Sequence, residues 1–226
     1  MLFILISASA ANSSVIVQDD WQSRDYTVKA FKYLHLRGTF RVKLIQGDHN
    51  SLSVRTTDSK AFDYLTINNE GDDLYIKVKR EPFDFSRVTL YITFKDLEKL
   101  EIGGGMNLET EGYLDLDDLS VRVEGGARIK FLTKAKDIKI RSEGGVLFNL
   151  SGVSRSLDVR LAGAGHVNAG DLKAKDVSFV IEGVGTGLVH ATHSLDAELK
   201  GVGKLTYRCN PRVTKIVEGL GSVKKE

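Results

Sequence analysis

The chain has 226 residues, 42% of them hydrophobic, with 32 Lys plus Arg set against 30 Asp plus Glu. That balance fits a folded chain with a sizeable core and argues against disorder, and the positive residues are scattered, with no cluster marking a nucleic-acid groove or a polybasic membrane anchor. Twenty-two glycines and only two prolines predict many tight backbone positions and few rigid turns.

The start, "MLFILISASAANSS", runs apolar from Leu2 to Ile6 and then reads Ala8-Ser9-Ala10, the small-x-small pattern of a signal-peptidase site. Residues 1–23 read as a partial signal peptide and leader, the plainer alternative being an apolar first strand. The apolar part is far short of the roughly 20 residues that cross a bilayer, so no transmembrane span is expected. Cys209 stands alone in the sequence, which leaves no internal disulfide and is compatible with export.

Residues 24–96 read as a less regular β region that caps a more regular one. "FKYLHLRGTFRVKLIQ", 31–46, has Leu34 and Leu36 before Gly38 and Val42 and Leu44 after it. Strands follow in "SLSVRTT" and "RVTLYITF", with a hairpin between them through Asn69-Glu70-Gly71-Asp72. "SKAFDYL" has room for one short helix, and 81–86 reads as a loop.

From residue 97 onward the chain repeats itself. Gly103, Gly125, Gly144, Gly163, Gly183, Gly201 and Gly219 are separated by 22, 19, 19, 20, 18 and 18 residues. At six, four and two residues before the last six of these glycines the residues are apolar, as in Leu157/Val159/Leu161, with Ser142 and Lys215 the exceptions. Between them lie polar residues such as Asp158 and Arg160. Period-two alternation marks a strand with one buried and one wet face, and a second short strand follows each glycine. A unit this short cannot bury its own apolar face, so it must stack on its copies. The expectation is an all-β parallel β-helix, a β-solenoid of about 19-residue coils over 97–226, with Gly38 and the seven glycines above at its corners. There they supply positive φ or a place where a Cβ would strike the next coil.

The same reading disposes of a phosphate loop in "EGVGTGLVHA". A dinucleotide fingerprint needs a strand before its glycines and a helix after them, whereas Gly183, Gly185 and Gly187 are followed by another strand pattern. Left-handed acyltransferase coils carry an aliphatic residue every six positions, and here the alternation is every two.

The recurring "LDVRLAGAGHVNAGDL" and "LDAELKGVGKLTY" units, entered through Phe31 to Gly47, resemble the putative auto-transporter adhesin, head GIN domain family over about 29–223. Members of that family typically place Ser between the glycines, where this chain has Gly126, Gly145, Ala164, Val184, Val202 and Leu220, so it looks like a divergent member. The resemblance implies a right-handed β-helix of the pectin-lyase-like kind, exported to the periplasm or cell surface of a Gram-negative bacterium, with an adhesive role and no established catalytic site.

Chemistry is sparse beside this. Asp115-Leu116-Asp117-Asp118 reads as an exposed loop, a weak calcium site being the sharper alternative. His190 and His193, three apart on a strand, should point to opposite faces, and His166 should lie on the surface. Cys209, with no neighbouring His in sequence, reads as an inert half-buried thiol. No catalytic, metal or cofactor site is expected. The leading expectation is a non-enzymatic contact surface for carbohydrate or a cell-surface protein. The alternatives are a polysaccharide lyase or hydrolase, and an envelope scaffold acting as a homo-oligomer.

Overall fold

The computed structural model describes residues 20–79 and 87–226. Most of the expected leader and the loop at 81–86 lie outside them. The strands are β1 (Gln22–Tyr26), β2 (Tyr33–Gln46), β3 (Ser51–Thr56), β4 (Leu65–Glu70), β5 (Asp73–Val78), β6 (Thr89–Phe94), β7 (Lys99–Glu111), β8 (Leu114–Ser142), β9 (Gly145–Leu161), β10 (Ala164–Ile181), β11 (Val184–Leu199), β12 (Val202–Arg208), β13 (Arg212–Val217) and β14 (Leu220–Lys225). Among the described residues one short helix, α1 (Ala61–Tyr64), sits where "SKAFDYL" allowed one.

β2 and the chain from β7 to β14 wind as a β-solenoid whose successive coils pair in parallel. Equivalent residues therefore form ladders. Before the corner, Leu36 is paired with Ile102, Ile102 with Val123, Ser142 with Leu161, and Leu161 with Ile181, which precedes Leu199. After the corner, Val42, Leu108, Ile129, Phe148 and Val167 form the next inward ladder, and all are buried. Each such side chain contributes about 1.5–3 kcal/mol by leaving water. Because the partner surfaces belong to other coils, that gain exists only in the stack.

The corner itself is a column of glycines. Gly38, Gly104, Gly125, Gly144, Gly163, Gly183, Gly201 and Gly219 lie one above another, and a Cβ on any but the first would fall 2.5 Å or less from the carbonyl oxygen of the glycine above. Positive φ is confined to the upper members, at +141° for Gly38, +117° for Gly104 and +133° for Gly125; below them close approach alone excludes a side chain. The column takes Gly104 in place of the expected Gly103. Gly103 is paired with Arg37 and Glu124, one step outside the column. The reason is the phase of the inward ladder: Ile102 occupies the position two before the corner, which fixes the corner at Gly104.

Above β2 the sheet divides. Its first half continues into β5 and β4, joined by the expected hairpin with Gly71 at φ +60°. Its second half continues through β6 to β3 and β1. Ala61 and Phe62 of α1 join Val28 and Phe31 in the core at this end. The other end is open: in β13 and β14, Ile216, Val217 and Leu220 are 50%, 42% and 77% exposed.

Candidate functional site

A groove of about 470 Å³ lies on the outer face of the sheet formed by β3, β6, β2 and β7, lined by Trp21, Arg41, Lys43, Arg55, Thr89, Tyr91, Asn107 and Glu109. Four adjacent strands form its floor: Arg55 on β3 faces Thr89 on β6, then Arg41 on β2 and Asn107 on β7. In the neighbouring row Tyr91, Lys43 and Glu109 stand side by side. Period-two alternation turns these residues outward while Val42, Leu90 and Leu108 between them are buried. Trp21, just before β1, closes one side, with the Arg55 guanidinium 4.9 Å from its ring centre. Such cation–π contact holds the indole in place while leaving its outer face exposed.

The groove's carboxylate is already engaged. Glu109 accepts a hydrogen bond from Lys43 Nζ, and that bond, opposed by partial burial, holds its pKa below the ordinary carboxylate value. Lys43 is raised in turn, first by the same hydrogen bond. Both stay ionised near neutrality, as a fixed dipole and not as a proton donor.

A second polar constellation surrounds His35, which is 9% exposed. Its Nδ1 lies 2.7 Å from Glu101 Oε2 and its Nε2 2.6 Å from Asp73 Oδ1, an arrangement in which both nitrogens donate only when the ring is an imidazolium. The ring stacks on Tyr75 at 4.4 Å. Glu101 is held below its ordinary value, chiefly by the hydrogen bond from Lys99 and next by that from His35. The adjoining cavity measures about 20 Å³, room for one water. This is a clamp between β5, β2 and β7, with no space for a substrate.

Of the residues singled out from the sequence for their chemistry, His190 and Cys209 come together and the others lie apart. Asp115 and Asp117 lie in strand β8 instead of a loop, pointing outward while Leu114 and Leu116 alternate with them inward. They pair with Lys134 and Lys136 of the next coil, and Lys136 holds the Asp117 pKa down. His193 meets Asp176 at 2.7 Å, whereas His190 places Nε2 3.0 Å from Cys209 Sγ, so the two histidines share no site. His166 is exposed, with Nδ1 2.6 Å from Thr186 Oγ1. Cys209 departs from expectation: it is exposed, it has a histidine partner, and it holds φ +72° on the bend after β12. The partner is 19 residues away because residues one coil apart are neighbours. Among the described residues no three His, Cys, Asp or Glu side chains converge as a metal site.

No curated protein matches the chain. Several crystal structures share its fold. A putative adhesin from Bacteroides fragilis is 23% identical, with a TM-score of 0.81 over 92% of this chain and 98% of that one. A putative lipid binding protein from Parabacteroides distasonis is 22% identical, with a TM-score of 0.66 over 91% and 96%. A putative adhesin from Parabacteroides merdae is 17% identical, with a TM-score of 0.67 over 91% and 96%. The stacked coils, the glycine column and a family model matching residues 30–211 agree: the chain belongs to the family described as putative auto-transporter adhesin, head GIN domain.

Proposed function

We propose that the protein is an exported, non-enzymatic adhesive module that holds carbohydrate in the groove between Trp21 and Tyr91. The observation that carries this reading is the groove's composition: two aromatic side chains beside Arg41, Arg55, Asn107 and Glu109. Indole and phenol rings offer flat apolar faces to the C–H side of a sugar, and guanidinium, amide and carboxylate groups satisfy its hydroxyls. Glycoside hydrolysis calls for two carboxylates roughly 5–10 Å apart, whereas Glu109 is spent on Lys43. The charged floor also suits an acyl chain poorly, which weighs against the lipid binding named for one structural relative. Membership in an adhesin family supports a place outside the cytoplasm.

Glycan-array screening followed by calorimetry tests the proposal. Trp21→Ala and Tyr91→Ala are each expected to weaken the leading glycan about 10-fold or more. An array on which nothing is retained, or release of shortened products from a polysaccharide, overturns it.

A further inference from the structure

The groove is the upper end of a longer feature. Its row Arg55, Thr89, Arg41, Asn107 continues in register down the solenoid through Arg128, Leu147, His166, Thr186 and Lys204. Along this row the basic positions are Arg55, Arg41, Arg128, His166 and Lys204. A neutral residue separates each from the next, and no carboxylate occupies any position. Neighbouring strands stand about 4.7–4.9 Å apart, so a basic side chain recurs about every 9–10 Å over nine strands. All five are exposed.

On the other faces several cations have a carboxylate partner. On the face that precedes the corner, Arg122 meets Glu143 at 2.9 Å, Arg141 meets Asp158 at 2.5 Å, and Lys200 meets Glu198 at 2.8 Å. On the face that closes each coil, Lys134, Lys136 and Arg155 pair with Asp115, Asp117 and Asp137. In the basic row, among the described residues, Arg41, Arg55, Arg128 and Lys204 have no carboxylate within ion-pair distance. Spacing like charges two strands apart reduces their repulsion, as any solvated face would require. Solvation alone does not explain why acids, present in the neighbouring row at Glu109 and on the other faces, are missing from this row. Cations left unpaired in a line are available to a ligand.

We infer that the row binds an acidic polysaccharide lying along the solenoid axis, with its charges spaced at about one per disaccharide. The two-strand repeat is comparable to the length of one disaccharide in an extended chain, so successive carboxylates or sulfates meet successive basic residues while the intervening sugars pass Thr89, Asn107 and Thr186. Guanidinium forks suit planar carboxylates. Next to the row, Lys130, Asn149 and Asn168 offer further donors. This inference rests on the carbohydrate reading of the groove and extends it to charge and length.

The test uses an octasaccharide of hyaluronan, which carries one carboxylate per disaccharide, against the same oligosaccharide with its carboxylates reduced to alcohols. The acidic form is expected to bind about tenfold or more tightly at 50 mM salt, and to lose most of that advantage by 200 mM. Arg41→Gln combined with Arg128→Gln is expected to remove it, with an unchanged melting temperature showing that the fold survives. Equal binding of the reduced form, lost in Trp21→Ala but not in the double arginine variant, overturns this inference and leaves the groove reading standing. Failure of both oligosaccharides and of a neutral glycan panel overturns both. Equally tight binding of single-stranded DNA or phosphatidylglycerol vesicles reveals undirected attraction to polyanions and also overturns the inference.

Discussion

In the upper coils the position two residues past the corner glycine is filled by Phe40, Met106, Ala127 and Val146, all buried; in the lower coils the same position is Gly165, Gly185, Gly203 and Gly221. The corner is thus packed by side chains above and by backbone below. A Cβ on Gly165 would fall 2.9 Å from a methyl of Val146, where one mode gives way to the other, and one on Gly203 would meet the carbonyl oxygen of Gly185. A repeat position therefore specifies direction, inward or outward. Residue size there follows from how closely the coils approach.

The largest effect is expected where backbone meets backbone. Gly144→Ala puts a methyl against the O, C and N atoms of Gly125, with no flexible side chain to yield. A loss of about 4 kcal/mol or more is expected in urea melts, and a loss below about 1 kcal/mol would show that the coils can simply spread. Phe40→Ala empties the side-chain-filled end and should cost about 3–4 kcal/mol. Because coils contact only their neighbours, hydrogen-exchange protection should fall in β2, β6 and β7 and persist in β11. Smallest is Gly126→Ala, one residue past the column, where a Cβ meets nothing within 4 Å and φ is not positive. Its expected effect is within about 0.5 kcal/mol. A penalty matching that of Gly144→Ala would mean that glycine serves backbone freedom here and not close approach.

The coils were legible in the sequence because a strand's alternation and a corner's need for glycine are local demands, repeated until chance is excluded. "NEGD" and "SKAFDYL" were legible for the same reason, each being decided within a few residues. At Gly103 to Gly105 three consecutive glycines blur the corner's phase by one residue; only Ile102, counted as the inward residue, resolves it. At Asp115 and Asp117 acidic density points to a loop, whereas the alternation with buried Leu114 and Leu116 marks the strand. The groove was hidden for a deeper reason. Trp21, Arg55 and Tyr91 come from three segments joined by antiparallel pairing of β1, β3 and β6, and nothing in their local sequence encodes that partnership. Cys209 and His190 could have been found by asking what lies one period away.

The alternation along the outer row carries a consequence for how such a chain can change length. A coil gained or lost between β9 and β10 would leave each remaining interior contact of the same kind, since inward positions accept aliphatic residues in any order. It would not leave the row intact: one insertion sets two basic or two neutral residues on adjacent strands and shifts everything beyond it out of phase. Only insertions or deletions in pairs restore the rhythm. The oily interior counts coils one at a time; the wet face counts them by twos.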